Sequence, residues 1–434
     1  MIGLENIFVW NPHQTFPRVD LKGSSIVEPR NDDYKSSLIS ISAVSGGFCS
    51  RKLCKDIFES FDITFPCQIL HFGEYSKNEL LKKISSFDSF KSLNPCVESW
   101  ETEDFRGRLA RVTGFEETRF IPSTGIAFYY NTRVGMRELF LSKDELRDFI
   151  PASIVAHTRE QVNSLIKNDV EGNIYIVKSN FSMGGVGSAI IPSYTDFHLG
   201  MLGFDIDPSD SQLDTEREYS GSKVGSESWD WTDEPFVVER FVGDEKTNKS
   251  LTFDGIINID GQFEFVGASE QILRNGRCYD GIKSFEFECS NTVDVCISLI
   301  EIVSKLLWNR GYAGPINVDF VRGIDGRIFL VDLNLRFSAP FPIHRLLQKI
   351  RSNFRNRDIH YHFFEEFSCG MNDIKIVTEY FDGLRSEFPR EFGPFPLACP
   401  VESEARLVTV PILFLADSPD SNEKLSERVK RDLA

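Results

Sequence analysis

Short apolar runs separated by turn residues fill the first part of the chain. Ile7–Trp10, Leu38–Val44 and Gln68–Phe72 read as buried strands, and polar segments such as Lys77–Lys83 read as helices between them. Strands alternating with helices predict an α/β unit with a parallel sheet over residues 1–125. Beyond Pro151, Thr158-Arg-Glu-Gln161 has the form of a reciprocal cap and predicts a helix reaching about Lys167. Asn173–Lys178, Ser188–Ile191 and Phe236–Phe241 read as strands, and Thr252–Asp260 with Phe263–Gly267 as a hairpin turning at Gly261. Thr292–Asn309 carries apolar residues at helical spacing (Cys296, Leu299, Ile300, Val303, Leu306, Leu307), with Gly311 as its stop signal. Leu407–Ala416 is an apolar strand. After it Ser418 can cap a last helix that has Pro419 in its first position and a stripe of Leu425, Val429 and Leu433.

The most informative pattern lies between Gly314 and Arg336. Asp325-Gly326 predicts a two-residue hairpin turn, because both central residues of such a turn need positive φ. Opposed residues then have numbers summing to 651. Ile324 faces Arg327, Phe320 faces Val331 and Val318 faces Leu333, all on an apolar core side. On the other face Asp319 falls opposite Asp332, and Asn317 opposite Asn334. Like charges so placed repel. A divalent cation such as Mg²⁺, which takes a few carboxylates together with phosphate oxygens and water, would neutralise them. The alternative is a solvated polar face on which one carboxyl keeps its proton.

Lys178 ends a strand and is followed by Gly184-Gly185-Val186-Gly187. Glycines let backbone amides approach phosphate oxygens, and a nearby lysine adds a point charge. The loop matches neither a P-loop nor a dinucleotide fingerprint, and a plain hairpin turn is its alternative reading.

Composition narrows the picture. Of 434 residues, 41% are hydrophobic and 26% charged, values that suit a globular chain with a sizeable core. The formal charge of −17 disfavours generic nucleic-acid binding. Residues 205–234 hold ten acidic residues and two basic ones, Arg217 and Lys223, as expected of a solvated insertion or of a lid that attracts a cationic substrate. The nine cysteines lack metal-site spacing and read as reduced cytosolic thiols. The N-terminus has no signal-peptide pattern, and the longest clean apolar run is ten residues, so a soluble, cytoplasmic protein without membrane contact is expected. No GxSxG is present, and His360-Tyr-His362 reads as a packing or surface feature.

Taken together, Ile176-Val-Lys178-Ser with its glycine loop, Phe236-Val-Val-Glu239-Arg-Phe-Val-Gly243, Asn317-Val-Asp319-Phe and Leu330-Val-Asp332-Leu-Asn334-Leu-Arg336 resemble the ATP-grasp superfamily, in its order, over about 126–345. The tail looks like that of the pheganomycin-type peptide ligases. The resemblance implies an N-terminal α/β pre-ATP-grasp domain (1–125), then a two-lobed α+β ATP-grasp fold with a lid-containing lobe (126–240) and a metal-binding lobe (241–345). A C-terminal extension (346–434) packs on that core. It also implies an ATP-dependent carboxylate–amine ligase working through an acyl phosphate and releasing ADP.

In that reading Lys178 contacts the ATP phosphates under a lid made by Gly184, Gly185 and Gly187. Glu239, Arg240, Phe241 and Val242 form the adenine hinge, and Glu245 binds ribose. Asp319, Asp332 and Asn334 hold Mg²⁺. Lys283 or Arg274 reaches the γ-phosphate, Arg336 steadies an acyl phosphate or substrate carboxylate, and Arg137 or Arg133 is the base that precedes the lid. The chain departs from several relatives in having Asp332 where they have Glu, and Asn317 where some ligases place an arginine. The substrates would be a small-molecule or peptide carboxylate and an amine, with a homodimer as the base-rate assembly. A kinase of a small polyol and a non-catalytic Mg-ATP-binding protein are the rival readings.

Overall fold

The computed structural model describes residues 6–10, 68–71, 92–96, 124–158, 161–162, 164–165, 173–180, 188–191, 235–243, 249–258, 260–274, 278–285, 290–336, 338–353, 358–370, 373–388, 392–396, 401–402 and 408–433. The expected strand Leu38–Val44, helix Lys77–Lys83, glycine loop 184–187, Glu245 and acidic segment 205–234 lie outside them.

Three strands open the chain: β1 (Asn6–Trp10), β2 (Gln68–His71) and β3 (Ser92–Cys96). They form a parallel sheet in the order β2-β1-β3, the arrangement predicted from alternating strands and helices. Helices α1 (Thr124–Tyr130) and α2 (Arg133–Leu141) and a 3₁₀ turn (Asp144–Phe149) follow. Strands β4 (Ser153–Ala156), β5 (Tyr175–Ser179), β6 (Ser188–Ile191) and β7 (Phe236–Arg240) then build an antiparallel sheet in the order β4-β7-β5-β6. The reciprocal cap forms as read: Gln161 N donates to Thr158 Oγ1 at 3.3 Å, and Thr158 N donates back to Gln161 Oε1 at 3.3 Å.

The largest sheet contains β8 (Lys249–Ile257), β9 (Phe263–Arg274), β10 (Cys278–Lys283), β11 (Gly314–Arg322), β12 (Ile328–Asn334), β13 (His360–Cys369), β14 (Gly393–Pro396), β15 (Val401–Glu402) and β16 (Val408–Ala416). Its order is β12-β11-β8-β9-β10-β13-β16-β14, with β15 also paired to β16. Helix α3 (Ser290–Asn309) covers one face, where Cys296, Leu299, Ile300, Val303 and Leu307 meet Phe253, Val318 and Phe320 in one buried cluster. Full burial of each such side chain contributes about 1.5–3 kcal/mol.

Helix α4 (Pro340–Asn353) covers the opposite face, packing Ile343, Leu346, Leu347 and Ile350 on Ile282, Tyr361 and Phe363. Further along the α3 side, α5 (Ile374–Arg385) and α6 (Pro419–Asp432) bury Val377, Phe381, Leu425 and Val429 against Phe364, Val410 and Phe414. Ser418 caps α6 by accepting from Ser421 N at 3.2 Å, with Pro419 in the first turn, and the predicted stripe of Leu425, Val429 and Leu433 is buried. The expected boundary at 345/346 falls inside α4, and strands beyond it lengthen the same sheet. No helix among the described residues is long and apolar enough to cross a membrane.

The β11–β12 hairpin corrects one detail and retains the main expectation. Gly323 N donates to Arg327 O at 2.8 Å and Gly326 N to Gly323 O at 2.9 Å, with Gly326 at φ +80°. The loop therefore holds three residues, Ile324-Asp325-Gly326, with glycine in the left-handed position. Next to it opposed numbers sum to 650, so Phe320 meets Leu330, Val321 meets Phe329 and Arg322 meets Ile328. A bulge then leaves Val331 as the extra residue and moves the sum to 651. Asp319 pairs Asp332, Val318 pairs Leu333 and Asn317 pairs Asn334, as expected. The expected pairings of Phe320 with Val331 and of Ile324 with Arg327 do not form, and Ile324 is 83% exposed rather than in the core.

Candidate active site

Five charged side chains, Lys178, Glu239, Arg133, Asp319 and Asp332, converge where the four-stranded sheet faces β11 and β12. On β5 and β7 the ladder pairs Ile176 with Glu239 and Lys178 with Val237, so Lys178 and Glu239 lie diagonally on one face. They form an ion pair in which Lys178 is 8% and Glu239 4% exposed. Lys178 Nζ also donates to Val331 O at 3.2 Å, crossing between the sheets.

Arg133 comes from the first turn of α2. Thr132 caps that helix by accepting from Gly135 N at 3.0 Å. Asn180, just past β5, accepts from Arg133 N at 2.9 Å through its carbonyl and from Val134 N at 3.1 Å through its side chain. Helix-start amides that would otherwise lack partners are thereby satisfied, and the buried Arg133 guanidinium is aimed at Asp332, with which it forms an ion pair.

Asp319 sits directly across from Asp332, and its Oδ1 is buried with no hydrogen-bond partner. Burial, then the neighbouring Asp332 charge, holds its carboxyl well above the ordinary carboxylate range, against hydrogen bonds from Thr252 and Gln271 that pull it down. Both donors are oriented from behind. Asn317 Nδ2 donates to Thr252 Oγ1 at 2.8 Å, leaving the threonine hydroxyl proton to turn elsewhere, and Ser250 Oγ donates to Gln271 Oε1 at 2.8 Å.

Along the same face runs a buried polar chain. Asn317 Nδ2 also donates to Asp254 Oδ1 at 3.0 Å, and Ser338 Oγ donates to the same oxygen at 2.6 Å. His344 Nδ1 bonds Asp254 Oδ2 at 2.7 Å, His344 Nε2 bonds Ser269 Oγ, and Ser269 Oγ meets Tyr361 OH at 2.6 Å. Ser269, His344 and Asp254 thus have the connectivity of a hydrolytic triad. All three are sealed from solvent, so no substrate reaches that serine.

Other sequence-predicted residues fall as follows. Asn334 Nδ2 donates to Asn317 Oδ1 at 3.1 Å, and Arg336 Nη2 donates to Asn334 Oδ1 at 3.3 Å. Arg137 lies one turn beyond Arg133 and donates to Ser153, through Nε to Oγ at 2.8 Å and through Nη2 to the carbonyl at 2.6 Å. In the hinge, the Arg240 and Phe241 amides already donate to Ala152 O and Ile174 O, each at 2.8 Å.

Lys283 is not brought to the carboxylates. The ladders Asp319–Thr252, Thr252–Ser269 and Gln271–Ile282 run along one face. Glu270 and Lys283, each one residue off, occupy the other and pair at 3.2 Å. Arg274 ends β9, and its side chain lies outside the described residues.

Sequence reasoning passed over Asp254, Ser338 and His344. The alternation Ser250, Thr252, Asp254 between Leu251 and Phe253 was a readable sign of a polar face on β8. His344 gave no such sign, because a lone histidine in a helix names no partner.

No family model matches the sequence, and no curated protein matches it. Solved structures do. An ADP complex of N5-carboxyaminoimidazole ribonucleotide synthetase superimposes with a TM-score of 0.59 at 10% identity, covering 99% of this chain and 97% of the other. Biotin carboxylase from Campylobacter jejuni, in a complex with a β-γ-ATP ligand, gives 0.54 at 11% identity, covering 100% and 92%. Phosphoribosylamine–glycine ligase from Thermotoga maritima gives 0.52 at 13% identity, covering 98% and 96%. These likenesses run through the whole chain, and the chain has the ATP-grasp fold.

Proposed function

We propose that the protein is an ATP-dependent carboxylate–amine ligase that activates its carboxylate as an acyl phosphate. The observation that carries this reading is the opposed pair Asp319 and Asp332, with Arg133 of α2 paired to Asp332 and Lys178 of β5 reaching the neighbouring Val331 carbonyl. Two acids and two bases converging between two sheets match a polyphosphate and its cation better than any neutral ligand. Enzymes of the same fold whose names denote ligase, synthetase and carboxylase activities, two of them in complex with adenine nucleotides, support the class.

The donor set fits Mg²⁺: two carboxylates, one of them offering the unpartnered buried Asp319 Oδ1, and the Asn334 amide oxygen. Bound there, the ion would neutralise charge on the ATP phosphates. Lys178 and Arg133 bind phosphate oxygens, with Glu239 keeping the Lys178 ammonium in place. Val242 and the neighbouring hinge carbonyls hold adenine, because the Arg240 and Phe241 amides are already engaged. As the resemblance implies, Gly184, Gly185 and Gly187 would serve the phosphates and Glu245 the ribose. Arg336, beside Asn334, holds the substrate carboxylate. Lys283 takes no part, since it lies on the far face.

A carboxylate oxygen attacks the γ-phosphorus, the bond to the bridging oxygen breaks, and ADP leaves. The amine nitrogen then attacks the acyl carbon, the C–O bond to phosphate breaks, and the amine proton leaves with phosphate or solvent. Positioning and charge neutralisation suffice for both steps, which agrees with the sealed Ser269-His344-Asp254 chain having no covalent part. The substrates are a small-molecule or peptide carboxylate and an amine, and the reaction belongs in the cytoplasm.

The test is incubation with ATP, Mg²⁺, a panel of carboxylates and hydroxylamine. A ligase yields ADP and a hydroxamate. A stable phosphate ester would assign a kinase instead, and no ADP release with any carboxylate would reduce the protein to a nucleotide binder.

A further inference from the structure

We propose that Asp254 is a positioning residue that fixes which end of the Asn334 side-chain amide faces the site. This rests on the reading of Asp319, Asp332 and Asn334 as the cation site. An amide offers a donor at one end and an acceptor at the other, and only the oxygen end can meet a cation. Nothing in the Asn334 side chain itself selects that end.

The selection comes from behind. Asp254 is 1% exposed and surrounded by donors: His344 Nδ1 at 2.7 Å, Ser338 Oγ at 2.6 Å and Asn317 Nδ2 at 3.0 Å. A buried carboxylate accepts only, so Asn317 must present its NH₂ end. Asn317 is then left with its oxygen pointing toward β12, where it can only accept. Asn334 must therefore give its own NH₂ end to Asn317 Oδ1, at 3.1 Å, and its oxygen is turned toward Arg336 Nη2, at 3.3 Å. The same Asn317 NH₂ occupies Thr252 Oγ1 at 2.8 Å and so turns the threonine proton toward Asp319.

One buried carboxylate thus sets two ligand-facing groups. It is itself held from the start of α4, by His344 within the helix and by Ser338 just before it, which also accepts from Phe341 N at 3.1 Å. Outer contacts of this kind change metal affinity by about 10–100-fold when lost.

The experiment is a double-mutant cycle read by direct Mn²⁺ titration, with and without ADP, followed by electron paramagnetic resonance. Asn317→Leu removes the relay while keeping volume. Asn334→Asp gives a side chain with two equivalent oxygens, whose flip state no longer matters. Asn317→Leu is expected to weaken Mn²⁺ binding about tenfold in the wild-type background. In the Asn334→Asp background its effect should be clearly smaller, limited to the part that runs through Thr252, and affinity for metal-free ADP should not change. Equal losses in the two backgrounds, or no loss in either, would overturn the relay. If Asn317→Leu does not fold, Asn317→Ser removes the same bonds and runs the same cycle. Wild-type protein that shows no Mn²⁺-dependent ADP binding would overturn the site reading itself, and with it the relay.

Discussion

Lys178 on β5 reaches the carbonyl of Val331 on β12 at 3.2 Å, and Val331 is the one residue of its strand left without a partner on β11. The bulge that frees this carbonyl also carries Asp332 into place opposite Asp319. The same irregularity therefore serves the lysine and the acid.

Lys178→Met leaves Glu239 buried and unpaired, which should lower stability by about 3–5 kcal/mol. Lys178→Met with Glu239→Gln removes both charges and should regain most of that loss in urea unfolding. Neither variant should release ADP above background, since the phosphate-facing charge is gone in both. Recovery of turnover in the double variant would show the lysine to be structural only.

Arg133 and the cation compete for Asp332. Arg133→Leu should therefore bind Mn²⁺ severalfold more tightly than wild type in the absence of nucleotide, and ADP more weakly, both measurable by calorimetric titration. Asp332→Asn should abolish ADP release while far-ultraviolet circular dichroism stays unchanged.

Gly267 lies against His344, and an added Cβ would stand 2.6 Å from both Cβ and Cγ of that histidine. Gly267→Ala should cost about 1–3 kcal/mol through overpacking. It should also shift the Mg²⁺ concentration for half-maximal activity, because His344 holds Asp254. Denaturant midpoints and metal titrations report the two effects separately.

His362 is held neutral: burial, then the charges of Lys283 and Lys430, lowers its pKa from 6.5 to about 4. Between those values the unfolded chain takes up a proton that the folded chain refuses, so stability falls as pH drops through that window. The loss approaches roughly 3 kcal/mol at 1.36 kcal/mol per pK unit. His362→Gln should flatten this part of the stability–pH curve. If the variant and wild type lose stability in parallel between pH 6.5 and 4, the histidine is not the cause.

Much of this was readable from residue order, for physical reasons. A strand's period of two fixes which side chains share a face, so the polar set Asn317, Asp319, Asp332 and Asn334 separated cleanly from Val318, Phe320 and Leu333. The pairing of the two aspartates emerged correctly although the turn was misread. Asp-Gly signals a two-residue loop, the chain uses three, and the unforeseen bulge at Val331 offsets the difference. No glycine or proline around Val331 announces this bulge.

The same limit hid Lys283: only the ladder register carried through β9 puts it on the face away from the acids. Asp254 and His344, ninety positions apart, meet through helix packing that no periodicity encodes.

The continuity of the large sheet past α4 has a consequence for how the chain may be cut. Strands β13 and β16 are hydrogen-bonded extensions of β10, with Ile282 joined to Phe363 and Phe363 to Leu413. A fragment ending before His360 would leave β10 as a bare edge with a row of unused amides and carbonyls, the kind of surface that recruits strands from other molecules. The last sixth of the chain is thus a guard against self-association as much as a cover for the core.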